Sequence, residues 1–439
     1  MEQNKPAKIA GILLAYPIAF AYLKYFFLDF AEVNVTLKKT LFVLGFIIFN
    51  ELVLRGRGKT PPKSVYFWYG IMGIVASTYE TGLSEVVSFL GLHLCAFYVA
   101  IVSNRLWYEG KTGSFIAADL FNAGVIKAFS GFPKIFSDIT YLGKTSAKKR
   151  VQVQEETGVA PLPKKQSGSA IGAVLIVLAM LPIFLIAVSL LKEINPQFGS
   201  AIDGFFKNFN FKIDFWWWAN NMIYFIMAVP TSLYLYGMLA KSADSDGSGE
   251  KKTYGSLIKW RQSCRKISPY VSTVITGLFV LLYLVFFVFE ASYLFSAFAG
   301  RLPEEFTAAE YARRGFFELT GIMFINMLVF LLISYFEKRD LPGRKGSVAM
   351  IIALMGESVV FASVSFSKLA LYYSRFGYTP KRLLAIWGTL IFAAGAILVI
   401  ASLAKKKDLS RIWIYFTTIS FALMSVISSV LYIALGGVE

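Results

Sequence analysis

Arginine and tyrosine recur together in two short runs of this chain, the first of them with glutamate. The first is Thr307 followed by Glu310-Tyr311-Ala312-Arg313-Arg314-Gly315-Phe316-Phe317-Glu318-Leu319. Arginine grips carboxylate or phosphate through a planar fork, and tyrosine adds a hydroxyl donor beside it. Thr307 with Glu310 three residues later fits a helix-starting capping box. On that helix Glu310, Arg314 and Glu318 share one face, with Arg313 on the next. A cap, arginines reaching for water and an ion-pair ladder would account for the run without any ligand.

The second run spans 368–383 and carries Lys368, Tyr372, Tyr373, Arg375, Gly377, Tyr378, Thr379, Pro380, Lys381 and Arg382. Gly377 suits a helix C-terminal cap, and Thr379-Pro380 suits the start of the next helix. A tight helix–turn–helix explains those three residues. It leaves the bases and the tyrosines unexplained. Glu290, Glu318 and Lys368 fall in the outer halves of apolar stretches and Glu357 near the middle of one. Such groups normally face a bundle interior or a water-filled cavity. Glu51 is the exception, near an inner end. The chemistry predicted is a polar pocket for an anionic or zwitterionic group, with Glu290–Lys368 or Glu318–Arg382 as cross-helix pairs.

These residues must be positioned by helices in lipid. Eleven apolar stretches (9–27, 41–54, 65–79, 86–103, 170–191, 216–239, 271–295, 315–335, 348–371, 383–403 and 412–435) are each about long enough to cross a bilayer, and the second and third are short. Hydrophobic residues make up 56% of the chain and charged residues only 16%, against about 25% charged in a soluble domain. In hydrocarbon such stretches must be helical, because no water is there to satisfy the backbone. The fold class expected is all-α, a polytopic bundle of about 11 spans.

Charge then orients it. With the N-terminus in the cytoplasm, 31 of the 44 Lys and Arg fall on the cytoplasmic side and 11 outside, with Lys24 and Lys368 within spans. That is the asymmetry the positive-inside rule requires. The C-terminus is then extracytoplasmic, and both Arg/Tyr runs lie at the outer face. The net charge of +17 is thus a topology signal and an attraction to anionic lipid, which argues against a nucleic-acid partner. No leader cleavage site stands out, and the first span reads as a retained anchor.

Three parts follow. Residues 1–105 hold four spans. Residues 106–169 form a cytoplasmic loop with an amphipathic interfacial helix over 114–142, interrupted at Pro133, and a basic linker; this loop is a candidate docking surface for a cytoplasmic protein partner. Residues 170–439 hold seven spans and both runs. Trp216, Trp217 and Trp218 read as an interfacial anchor. The lone His93 sits in Leu92-His93-Leu94 and reads as a core histidine. With one histidine and two cysteines, Cys95 within a membrane helix and Cys264 in a cytoplasmic loop, neither a metal site nor a disulfide is expected. Nothing points to a cofactor.

The Glu310–Leu319 run and the Leu371-Tyr372…Gly377-x-Thr379-x-x-Arg382-Leu383 run resemble the hallmarks of a family of bacterial multi-span membrane proteins designated only as a domain of unknown function. The resemblance is best over about 270–435. It implies a bacterial inner-membrane location with the signature at the membrane edge, and brings no substrate with it.

Three functions fit. A transporter or binding protein would hold a small anionic or zwitterionic molecule or a lipid-linked envelope precursor at Glu310, Tyr311, Arg313, Arg314, Glu318, Lys368, Tyr372, Arg375 and Arg382, with Glu290 or Glu357 as a proton-coupling group. An envelope-assembly enzyme of glycosyltransferase type would use Asp29 and Glu32 in the first external loop. A scaffold or sensor would signal through the 106–169 loop. No phosphate-binding glycine-rich loop appears, which argues against ATP-driven work.

Overall fold

A computed structural model describes residues 4–27, 35–144, 215–302 and 307–435, with a few single positions besides. The expected fifth span at 170–191, the basic linker, Asp29, Glu32 and the three tryptophan side chains lie outside the described residues.

Among these residues the chain is helical, and the one bridge between extended segments joins Ile267 and Glu337. In chain order the main helices are α1 (Lys5–Ala21, continued by a π-helical turn Tyr22–Phe27), α2 (Val35–Arg55), α3 (Ser64–Ser77), α4 (Glu85–Asn104), α5 (Phe215–Asp244), α6 (Ser248–Ser263), α7 (Pro269–Phe289), α8 (Ala308–Phe336), α9 (Arg344–Phe376), α10 (Pro380–Lys405) and α11 (Ser410–Ala434). Among the described residues eight helices are long and apolar enough to cross a membrane: α1 with its π turn, α4, α5 and α7 to α11. α3 is apolar but only 14 residues long. α2 has the length, yet carries Lys38, Lys39 and Glu51. Expected spans two and three are therefore a charge-bearing helix and a short one, and neither is among the eight.

Lipid is written into the surface of α7. Leu278, Leu281, Leu282, Val288 and Phe289 are exposed there. An apolar helix this bare would aggregate in water and is at home in hydrocarbon.

The residues group into two compact units. The first holds Met1–Tyr69, Cys95–Leu106 and Asp119–Asp246; the second holds Gly70–Leu94, Trp107–Ala118 and Gly247–Glu439. In the first, α1 packs on α2 and α5 around Ile12, Ala15, Ala19, Phe49 and Met238. Small residues bring backbones close, as membrane helices require. A side chain at Gly237 would strike the backbone of Gly131, and one at Gly56 would come within 2.8 Å of the Lys8 backbone. The loop expected to be one interfacial helix is broken into Ile116–Phe121, a π turn Asn122–Lys127, Ala128–Ser130 and a helical stretch 134–144. Phe121, Ile126, Phe129 and Phe136 are exposed, while Asn122 and Asp138 are buried.

In the second unit α9 is the central helix, packed on α7, α8 and α10. Tyr283, Leu319, Met323, Leu354, Met355, Phe361 and Val364 form its core.

Candidate functional site

At one end of the second unit the start of α8, the end of α9 and the start of α10 meet. Thr307 caps α8, its Oγ1 accepting from the Glu310 N–H at 3.2 Å. Gly377 ends α9 with φ 72°, a left-handed value glycine tolerates. Thr379 caps α10, accepting from the Arg382 N–H at 3.3 Å, with Pro380 in the first turn. These capping residues perform the roles their sequence predicts.

Lys368 is the centre of this end. Its side chain is fully buried. It runs across Gly315 of α8, where an added Cβ would lie 2.5 Å from Lys368 Cδ. Its Nζ sits 3.4 Å from the ring centre of Tyr293 and 4.2 Å from that of Tyr311. The two rings stand edge to face, 5.4 Å apart. Tyr311 is locked: its hydroxyl donates to the Tyr293 carbonyl at 2.6 Å and meets Ser296 Oγ at 2.8 Å. Tyr293 donates to Glu318 at 3.3 Å, and Glu318 accepts from Arg314 Nε at 2.8 Å. Lys368 Nζ itself has no hydrogen-bond partner among the described residues. Contact with the rings is worth roughly 2 kcal/mol when desolvated. It leaves all three N–H donors unsatisfied.

The other predicted residues divide. Tyr311, Arg314 and Glu318 belong to this cluster. Glu310, Arg313 and Arg375 are exposed. Arg382 is engaged in the turn, donating to the carbonyls of Phe376 and Gly377 at 2.8 Å each and to Tyr372 at 3.2 Å. It does not pair with Glu318, whose partner is Arg314 one helical turn away. Nor does Glu290 form an ion pair with Lys368. α7 stops at Phe289, so Glu290 sits at a helix end and is exposed rather than lying within a span.

Glu357, also on α9, is buried with neither carboxylate oxygen hydrogen-bonded among the described residues. It precedes Lys368 by eleven positions, three helical turns, so the two share a face of α9 about 16 Å apart. The sequence reading missed the neutral polar cluster near it. Tyr283 donates to Asn326 at 3.0 Å, and Asn326 donates to Ser358 at 2.9 Å. An asparagine in the middle of an apolar span was the signal.

The first unit holds a second polar centre that no motif announced. Asp138 is buried and accepts from Lys8 at 2.8 Å, Arg57 at 2.5 Å and the Tyr236 hydroxyl at 2.7 Å. Arg57 also binds Asp244 at 2.8 Å, and Lys134 pairs with Asp244. Burial alone would push the Asp138 carboxyl up, but Arg57, Lys8 and Tyr236 together hold it below the usual carboxylate value. Arg57 is correspondingly raised against the cost of its burial by Tyr236, Asp138 and Asp244. The start of α1, the end of α2, the 134–144 stretch and the end of α5 thus meet at one end of the unit.

Elsewhere, His93 Nδ1 lies 2.7 Å from the Phe89 carbonyl of its own helix, which accounts for it structurally. Glu51 pairs with Arg55 one turn on. Cys95 and Cys264 are both free thiols.

Eight long apolar helices bearing exposed aliphatic faces define an integral, multi-pass membrane protein. More particularly, residues 69–435 match the family described as Domain of unknown function (DUF4153), and the chain belongs to that family. The match begins well before the two Arg/Tyr runs, within α3, and takes in all of α4. No curated protein and no solved structure matches the chain.

Proposed function

We propose that this protein binds, and moves across the bacterial cytoplasmic membrane, a small anionic or zwitterionic molecule or the polar head of a lipid-linked envelope precursor. One observation carries the reading: the fully buried ammonium of Lys368, caged by Tyr293 and Tyr311 and lacking any hydrogen-bond acceptor among the described residues. A buried charge without a partner is expensive, and its place in a span is a functional signal. A carboxylate or phosphate drawn in past Arg314 would supply the missing acceptor, and the exposed Arg313 and Arg375 would attract it first. Glu357, unpartnered on the same face of α9, is the group to carry a proton or cation with the solute. In this reading the Lys368 end faces outward, which the distribution of Lys and Arg along the sequence supports.

The test is a thermal-shift screen of the purified protein with succinate, glycerol 3-phosphate, glycine betaine and inorganic phosphate. At least one should stabilise the wild type saturably and leave Lys368→Met unmoved. The same shift in Lys368→Met, or no shift from any of them, overturns the proposal. Uptake of the active probe into proteoliposomes should then lose its dependence on a pH gradient in Glu357→Gln.

A further inference from the structure

The opposite ends of α8 and α9 hold a different concentration of charge. Two backbone hydrogen bonds run from the Lys266 and Ile267 N–H groups to the Phe336 carbonyl at 2.9 Å each, and a third from the Lys338 N–H to the Ile267 carbonyl at 3.0 Å. They pin the segment after α6 to the segment after α8. Arg265 and Arg339 are carried in on these two segments. Arg261, on the last turn of α6, lies over the Tyr335 ring at 4.9 Å. Arg344 opens α9 and donates to the Arg339 carbonyl at 3.3 Å.

Four guanidinium groups therefore converge, and the acids do not balance them. The Glu337 carboxylate is occupied by the Ser347 hydroxyl at 2.5 Å, and Asp340 and Glu109 are the other acids felt by the cluster, three acids against four arginines. None of the four arginines forms an ion pair within the described residues. The Nε atoms of Arg261 and Arg265 are buried without an acceptor. Burial, then the neighbouring arginines, pull Arg265 and Arg339 below the ordinary arginine value. Gly343, at φ 93°, leads into α9 without any side-chain cap, so the positive end of that helix dipole points into the same region. Arginines that merely mark the cytoplasmic side would extend into water and satisfy every N–H there. Arg339 is exposed, but Arg261 and Arg265 hold their Nε atoms away from solvent, with like charges at close quarters.

We propose that Arg261, Arg265, Arg339 and Arg344 form a binding site for a phosphate group, carried by an anionic lipid headgroup or by a soluble phosphate ester. Phosphate matches the cluster. Its several oxygens each accept from a guanidinium fork, and its charge removes the mutual repulsion. The end of a helix pair rich in basic residues is also where anionic headgroups collect. The site is separate from the one at Lys368 and stands whether or not that one binds a solute.

The full-length protein serves as the test object, in wild-type form and as Arg265→Gln/Arg339→Gln. In the lipid arm it is reconstituted with equal amounts of phosphatidylglycerol and phosphatidylcholine, then stripped with detergent, and retained lipid is counted by native mass spectrometry. In the soluble arm the delipidated protein is titrated with inorganic phosphate, and its thermal midpoint is followed. A headgroup site retains phosphatidylglycerol over phosphatidylcholine, with about tenfold less retained by the variant. A site for a soluble phosphate ester gives a saturable phosphate shift that the variant loses. Either result supports the proposal. Neither preference nor shift in the wild type, or the same response in the variant, overturns it. Should the glutamine variant fail to fold, Arg265→Lys/Arg339→Lys retains the charge but loses the forks, and should weaken the same response.

Discussion

Asp138 and Lys368 are both buried charges in helical surroundings, and they are treated in opposite ways. Asp138 has two cations and a phenol on its oxygens. Lys368 has two aromatic faces and, among the described residues, no acceptor. The same protein thus builds a fully answered charge in one unit and leaves one unanswered in the other. An answered charge ties segments together. An unanswered one costs stability, and the cost is tolerated where the group has work to do. The difference separates a structural junction from a candidate site more sharply than the mere presence of charge in a span.

The largest expected effect tests the answered side. Asp138→Asn leaves Lys8 and Arg57 buried opposite a neutral amide, and should cost about 3–5 kcal/mol, read as loss of folded protein in detergent. Normal yield and midpoint would remove the contrast. The same junction should respond to acid. The folded-state value of Asp138 is depressed, so its contribution is present above the unfolded value of about 3.9 and is lost as pH falls through the lower folded value. A pH series of thermal midpoints, wild type against Asp138→Asn, should converge only below about pH 4.

Next comes the contact that shapes the cage. Gly315→Ala should cost about 1–3 kcal/mol by pushing into Lys368, which has nowhere to retreat. Most of that cost should vanish in a Lys368→Ala background, a coupling that a double-mutant cycle measures. Lys368→Met should raise the thermal midpoint modestly. Desolvating an unpaired ammonium costs several kcal/mol, more than the roughly 2 kcal/mol returned by the aromatic contacts. A lowered midpoint would mean that Lys368 is answered after all. The smallest effect belongs to Arg314→Ala. Its pair with Glu318 is exposed, so stability should barely move, and any loss of probe response is then a loss of recognition.

Local chemistry was legible in the residues themselves. The caps at Thr307, Gly377 and Thr379 act within a few positions of their partners, so their spacing already specifies them. Apolar run length likewise announces helices in lipid, since a backbone there has no other way to pair its polar groups. Arg382 shows the limit. Its type suggested a ligand contact, yet its guanidinium closes the turn it opens. Glu290 was placed inside a span because hydropathy continues past it, whereas the helix ends one residue earlier.

By itself the sequence determined the helical character of the chain, the membrane as its solvent and the residues that start and stop several helices, because each follows from interactions between near neighbours or from bulk hydropathy. Tertiary structure alone decided that Lys8, Arg57 and Asp138 meet, that Tyr293 and Tyr311 enclose Lys368, and that four arginines gather where α8 ends and α9 begins. Lys8, Arg57 and Asp138, the tyrosines and Lys368, and the two pairs of arginines stand tens to more than a hundred positions apart, and only helix packing brings them within reach of one another.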